Sequence, residues 1–222
     1  MYKLAAILLT LGITTMFINS CSMANAIGVA IPNPKLDAPL ATKKIEQTAV
    51  FAGGCFWGVE AVFDRVKGVS KAESGYSGGS ADTAQYKTVA SGATDHAEAV
   101  RVTYDASQIT YGQLLKVFFA VAHDPTELNR QGPDVGTHYR SAIFYSNDEQ
   151  KRIAESYIQQ LDQVKVFSDK IVTQVVPLNA FYEAEGYHQN YLVNHPDEPY
   201  IVYNDLPKLK NLRKLLPELY RE

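Results

Sequence analysis

Residues 48–66 read TAVFAGGCFWGVEAVFDRV, and this stretch decides the fold of the chain. Thr48 to Ala52 form a short apolar run, which is typical of a buried strand, and Gly53-Gly54 permit a tight turn. From Cys55 to Val66 the apolar residues recur at helical spacing. The sequence therefore predicts a strand, a tight turn and a helix, with Cys55 in the first turn of that helix.

Strands and helices alternate along the rest of the chain. The hydrophobic pattern predicts strands at 71–77, 96–104, 140–145 and 171–176, and helices around 114–121, 148–161 and 206–216. This alternation predicts an α+β fold, a two-layer mixed sheet with packed helices and a ferredoxin-like core. Residues 123–139 and 178–200 are polar and weakly periodic, so we interpret them as long functional loops.

The first 26 residues differ from the rest. Lys3 precedes an uncharged apolar run, Leu4 to Ile18, which is shorter than the roughly 20 residues that span a membrane. A basic start followed by an apolar run is typical of an export signal. Two cleavage sites compete: 18–21 resembles a bacterial lipobox, with Cys21 as a lipid anchor, and 24–26 resembles an ordinary A-x-A site.

The chain is accordingly divided into an export signal (1–26), a linker (27–46) and one domain (47–222). The linker is interpreted from three prolines, Pro32, Pro34 and Pro39, among Ala, Asn and Lys. We expect an exported bacterial protein that is periplasmic or anchored to a membrane by lipid.

Charge argues against a nucleic-acid partner. The net charge is −3, and no long basic run occurs. The closest feature is a basic set near the C-terminus at helical spacing, which is typical of a solvated helix face: Lys208, Lys210, Arg213 and Lys214.

The chain contains two cysteines, Cys21 and Cys55. A disulfide between them fails under both cleavage schemes, because one removes Cys21 and the other blocks its thiol with lipid. Cys55 is then a lone free thiol at a helix N-terminus, where backbone N–H groups and the helix dipole lower a thiol pKa. This position favours a nucleophile over a buried cysteine that only fills space.

Several blocks of sequence appear in the order found in one enzyme family: GCFWG (54–58), GYSGG (75–79), HAE (96–98), HDPT (123–126), NRQGPDVG (129–136), YRS (139–141) and AEGYHQ (184–189). In these blocks the chain resembles the A-type peptide methionine sulfoxide reductases over roughly residues 48–200. The resemblance implies reduction of the S epimer of methionine sulfoxide, free or in proteins, through a Cys55 sulfenic acid. It implies no cofactor.

The resemblance also assigns site residues. It makes Glu98 the general acid, and Glu98 independently lies on the apolar side of an alternating strand, where burial raises a carboxyl pKa. Tyr86 and Tyr139 match the tyrosines that hydrogen-bond the sulfoxide oxygen. The aromatic pair that holds the methyl group is matched by Phe56 and Trp57, and Asp134 is similar to an aspartate near the site.

The chain departs from the family after Cys55. Many members carry further cysteines near the C-terminus, whereas this chain has none there. The sulfenic acid is therefore expected to be reduced by an outside thiol, such as a thioredoxin-like protein.

Three alternatives compete with this interpretation. Glu185 and His188 are spaced as one E-x-x-H pair, with His123 and His138 available, but a di-carboxylate metal site needs two such pairs, so no metal is expected. A cysteine hydrolase would pair Cys55 with a histidine such as His188. A thiol sensor would use oxidation of Cys55 as a signal.

Overall fold

The structure is a computed structural model that describes residues 28–222. The predicted export signal, the possible anchor at Cys21 and both cleavage sites lie outside the described residues. Within 28–222 no helix combines the length and hydropathy needed to cross a membrane.

The strands and helices follow in chain order: β1 (Glu46–Gly53), α1 (Phe56–Asp64), β2 (Val69–Ser77), α2 (Tyr86–Val89), β3 (Ala97–Asp105), α3 (Tyr111–Val117), β4 (Arg130–Gln131), β5 (Asp134–Val135), β6 (Ser141–Tyr145), α4 (Asp148–Gln163), β7 (Gln174–Pro177), β8 (Phe181–Glu183), α5 (Tyr191–Asn194) and α6 (Leu206–Leu215). Two π-helical turns, Phe118–Ala122 and Ile201–Asp205, adjoin α3 and α6.

The main sheet has the order β7-β6-β1-β3-β2-β8. All neighbours are antiparallel except β6 and β7, which makes the sheet mixed. Along the chain, the four inner strands and their helices follow as β1-α1-β2-β3-α3-β6. In the sheet, the same four strands lie side by side in the order β6-β1-β3-β2. Strand β3 therefore lies between β1 and β2, the two strands that α1 connects. This topology is the ferredoxin-like core, and the predicted α+β fold is confirmed.

The main core lies between the sheet and the helices. Phe51 of β1 is fully buried and stacks on Phe63 of α1 at 5.2 Å and on Phe118 at 5.0 Å between ring centroids. Aromatic pairs of this kind add about 0.5–1.5 kcal/mol to the free energy of burial. These contacts attach α1, and with it Cys55, firmly to the central strand.

The segment predicted as a linker has no helix or strand before Glu46, but it is packed against the domain. The Val29 N–H donates to Ala120 O at 2.9 Å, and the Tyr157 hydroxyl donates to Pro32 O at 2.7 Å. Asp37 accepts from the Gly112 N–H at the start of α3 at 2.8 Å. Residues 28–45 therefore pack against the domain and do not form a free linker.

The predicted solvated face of α6 is partly wrong. Lys210, Arg213 and Lys214 are exposed, but Lys208 is buried. Lys208 shares the inward face of α6 with Leu212, four residues later, and pairs with Asp205 at 3.1 Å. Its burial follows from this i, i+4 spacing, which the basic composition concealed.

Candidate active site

Cys55 occupies the junction between β1 and α1. Gly54 has φ +87°, a left-handed conformation, and a Cβ there would collide with the side chain of Gln131. Cys55 follows as the N-cap residue of α1, one position before the predicted first turn, and its side chain makes no capping hydrogen bond. The thiol is buried and forms no disulfide in the described residues.

The predicted lowering of the Cys55 pKa is wrong. Burial raises the pKa of this thiol well above its usual value, and the charges of Glu98 and Asp205 raise it further. The backbone N–H of Trp57 and the charge of Lys208 lower the pKa by less. Desolvation outweighs the helix N-terminus, so Cys55 is a neutral thiol in the resting protein.

Glu98 is a buried carboxyl beside this thiol. It lies on β3 opposite Tyr76 of β2, is 2% exposed, and accepts a hydrogen bond from the Phe56 N–H at 3.0 Å. Burial raises the pKa of Glu98 to about 8, against the opposing effect of the Phe56 hydrogen bond. At neutral pH the carboxyl therefore holds a proton that it can donate.

Tyr86 and Tyr139 bring two phenols to the same place. Tyr86 begins α2, and its N–H donates to Glu185 at 2.9 Å. Tyr139 ends a single 3₁₀ turn before β6. Burial raises the pKa of both phenols, and the charges of Glu98 and Cys55 raise both further, so the four groups interact and the phenols stay protonated as hydrogen-bond donors.

Phe56 and Trp57 belong to an aromatic cluster around His188. The Phe56 ring lies 5.0 Å from the His188 ring, and the Trp57 indole N–H donates to His188 Nδ1 at 3.1 Å. Trp57 also stacks on Tyr191, with centroids 3.7 Å apart and planes 7° apart. Tyr191 and this role of His188 were not predicted, because nothing in a chain with 14 tyrosines marks one of them out.

Asp134 lies on β5 and accepts a hydrogen bond from the Tyr200 hydroxyl at 2.5 Å. Burial raises its pKa, and the Tyr200 hydrogen bond and Lys208 oppose that effect. Asp134 and the Cys55 thiol line the same small cavity, which has a volume of about 50 Å³. The cavity is lined by Cys55, Gln131, Gly132, Asp134, Tyr200, Asn204 and Lys208.

Two of the residues considered for a metal site, Glu185 and His123, are engaged with other partners. Glu185 accepts from the Tyr76 hydroxyl at 2.8 Å and from the Tyr86 N–H. His123 lies against Ser141 and the Phe118 carbonyl, and burial lowers its pKa to about 3. Within residues 28–222 no three or more His, Cys, Asp or Glu side chains are grouped so that they could hold a metal ion.

The hydrolase interpretation is not favoured by the surroundings of His188. A catalytic histidine is normally oriented by Asn or Asp, whereas Nδ1 of His188 receives the Trp57 indole N–H. Burial also lowers the pKa of His188. The imidazole is therefore arranged as part of the aromatic cluster, not as a base.

A buried thiol, a carboxyl of raised pKa and two phenolic donors lie together on a ferredoxin-like core, an arrangement that suits a thiol-dependent oxidoreductase. The model of the family described as peptide methionine sulfoxide reductase matches residues 47–218. The chain therefore belongs to the peptide methionine sulfoxide reductases, and to their A type; it reduces methionine sulfoxide and so repairs oxidised proteins.

Known relatives agree. Peptide methionine sulfoxide reductase MsrA 2 of Mesorhizobium japonicum is 61% identical over 79% of this chain and 90% of its own length. MsrA 2 of Synechocystis is 50% identical over 83% of this chain and 87% of its own length. Reduced Mxr1 from Saccharomyces cerevisiae is similar in structure, with a TM-score of 0.62 and 34% identity over 73% of this chain and 92% of that chain.

Proposed function

We propose that Cys55 reduces the S epimer of methionine sulfoxide, free or in proteins, with Glu98 as the proton donor. The observation that carries this proposal is the buried Glu98 carboxyl, which accepts a hydrogen bond from the residue after Cys55 and whose pKa burial raises to about 8. A sulfoxide oxygen is a poor leaving group until it is protonated, and a buried acid with a pKa near the working pH is well suited to that task. The hydroxyls of Tyr86 and Tyr139 add two donors for the same oxygen.

The chemistry balances as a two-electron transfer. Cys55 Sγ attacks the sulfoxide sulfur and forms an S–S bond while Glu98 protonates the sulfoxide oxygen, and the thiol proton passes from Cys55 to the Glu98 carboxylate. The hydroxyl oxygen then moves from the substrate sulfur to Cys55 Sγ: the substrate S–O bond and the S–S bond break, an S–O bond forms on Cys55, and methionine departs as a thioether. Cys55 is oxidised to sulfenic acid and the substrate is reduced. Phe56 and Trp57 form the apolar surface for the substrate methyl group, and Asp134 lies at the edge of the thiol cavity.

The sulfenic acid needs a reductant from outside the domain, because Cys55 is the one cysteine among the described residues. An outside thiol attacks the Cys55 sulfur and water leaves, which forms a mixed disulfide. A second thiol then restores Cys55 and carries away a disulfide. A thioredoxin-like dithiol supplies both thiols in one molecule.

Export to the periplasm, with or without a lipid anchor at Cys21, completes the proposal. Its support is the basic and apolar pattern of 1–26 together with the two cleavage sequences. Mass analysis of the N-terminus of protein from its native compartment distinguishes a lipidated Cys21 from a start at Ile27. An uncleaved Met1 would refute export.

The test of the activity is turnover of peptides that carry single epimers of methionine sulfoxide, with dithiothreitol as reductant. We expect the S epimer to be reduced and the R epimer to be inert. Cys55→Ser should lose turnover and still fold, since serine differs from cysteine by one atom. Turnover of the R epimer, or activity in Cys55→Ser, would refute the assignment. Oxidation of Cys55 without turnover would favour the sensor.

A further inference from the structure

A buried ion pair adjoins the thiol and has no part in the reaction described so far. We propose that Asp205 and Lys208 control the charge of Cys55 during the reaction: Lys208 stabilises the thiolate as it forms, and Asp205 holds Lys208 and keeps the resting thiol neutral. The two residues are positioning residues that act through Cys55. The inference rests on the proposed role of Cys55 as nucleophile.

The geometry places the pair at the start of α1. Lys208 Nζ lies 3.1 Å from Asp205 Oδ1, and the side chains are 7% and 0% exposed. Both atoms press against Gly58 in the first turn of α1, where an added Cβ would overlap them. Lys208 also lines the small cavity that contains Cys55.

The pair is unexpected on stability grounds alone. Removal of two charges from water costs a large part of their hydration free energy, and apolar residues of similar size in the same place often make a protein equally stable or more stable. One oxygen of the carboxylate, Asp205 Oδ2, is buried without a hydrogen-bond partner. A buried oxygen left unsatisfied needs an explanation, and a charge kept for the neighbouring thiol provides one.

The main chain around Asp205 shows the same specialisation. Asp205 ends the π-helical turn Ile201–Asp205, directly before α6. Such turns are rare and occur frequently at functional sites. Tyr200 directly precedes this turn as its N-cap residue and donates to Asp134, and Asp205 ends the turn, so both ends of one irregular turn hold groups that interact with Cys55.

The titratable groups around Cys55 indicate how Lys208 acts on the thiol. The groups that act on the thiol or face it come from several elements: Glu98 on β3, Asp134 on β5, the phenols of Tyr86, Tyr139, Tyr191 and Tyr200, and the Asp205–Lys208 pair. Among the groups that act on the pKa of Cys55, Asp205 raises it and Lys208 is the cation that lowers it. A thiolate that forms among carboxyl groups needs such a cation.

This arrangement suits a lone reactive thiol. The thiolate reacts with peroxides far faster than the thiol does, and further oxidation of a sulfenic acid to sulfinic acid is irreversible. A resting thiol held neutral by burial and by Asp205 is protected from that loss. Lys208 keeps the charged form attainable once the substrate is in place.

Two variants separate the two charges. Asp205→Asn removes the negative charge and leaves Lys208, so alkylation of Cys55 by iodoacetamide should be roughly tenfold faster at a fixed pH between about 7.5 and 9, which corresponds to one pH unit in the thiol equilibrium. Adding Lys208→Met to Asp205→Asn removes only the cation, so alkylation should slow by roughly tenfold from that level. Lys208→Arg keeps the charge and should stay near wild type.

The control is Lys210→Met, which removes an exposed lysine from the same helix and should leave the rate unchanged. A purely structural role would expose Cys55 and accelerate alkylation in both Asp205→Asn and the double variant. That result, or no change in Asp205→Asn, would overturn the inference. Sulfoxide turnover of the wild type is measured in parallel. If the wild type does not reduce sulfoxide while alkylation is faster in Asp205→Asn and slower again in the double variant, the proposed function is refuted and the control of the Cys55 charge still holds.

Discussion

Replacement of Glu98 by glutamine tests the site most directly, because it removes a proton and leaves the shape. The amide is isosteric with the carboxyl, and its oxygen can accept the same hydrogen bond from the Phe56 N–H. The variant cannot protonate the sulfoxide oxygen, so turnover should fall about 10²–10⁴-fold, the usual contribution of general acid catalysis. Binding of the substrate should change far less.

The same substitution has a stability effect of predictable sign. The pKa of Glu98 is about 8 in the folded protein against 4.5 for the free group. The folded state therefore binds a proton that the unfolded state has released, and stability falls as the pH rises from about 4.5 to about 8. Between about pH 5 and pH 7.5 this loss amounts to roughly 3 kcal/mol. Glu98→Gln lacks this loss and should gain that amount on the wild type over the same interval.

Urea unfolding of both proteins at the two pH values measures the difference, and turnover with dithiothreitol is measured on the same samples. Glu183→Gln is the matched control, since Glu183 is exposed on the edge strand β8. Its free energy of unfolding should follow the wild type at both pH values. Equal pH dependence for Glu98→Gln and the wild type would refute a protonated, buried Glu98, and an unchanged rate would remove it from catalysis.

Two further predictions concern the oxidised enzyme. Protein treated with sulfoxide in the absence of reductant should carry Cys55 as a sulfenic acid that dimedone traps. Mass spectrometry should find no disulfide within the mature chain. A disulfide between Cys55 and Cys21 in protein from its native compartment would contradict both this prediction and export. All three methionines, Met1, Met16 and Met23, precede Ala26. A chain cleaved after Ala26 should thus recover full activity with dithiol after mild peroxide treatment, whereas permanent loss with Cys55 still reducible would place the damage elsewhere.

Local pattern was sufficient to predict the part of the fold that carries Cys55. The strand, turn and helix of 48–66 are visible because period and glycine positions are local properties of the sequence. The burial of Glu98 was also predictable from alternation along β3, since Val100 and Val102 share its face. These predictions depended on neighbours within a few positions along the chain.

Properties that depend on contacts between residues far apart along the chain could not be predicted from the sequence. The pKa of Cys55 was predicted with the wrong sign, because the helix N-terminus is local whereas the desolvation comes from elements far along the chain, including Gln131 and Tyr200. Lys208 was assigned to a solvated face, and its partner Asp205 was not noticed. Strand β8 lies within a stretch interpreted as a loop, since three residues are too few to establish a period of two.

Because Cys55 and Glu98 are both buried, each keeps its proton in the resting site. At neutral pH the resting site holds one proton on Cys55 and one on Glu98, because desolvation raises both pKa values. Reduction of the sulfoxide leaves one proton on the sulfenic acid oxygen, and the thiol proton can restore Glu98, so the first half-reaction neither takes up nor releases a proton. A thiol of low pKa would have lost its proton to solvent beforehand and would require one from solvent to restore Glu98. The buried, neutral Cys55 is thus consistent with acid catalysis by Glu98, although it is the opposite of what its position at a helix start predicts.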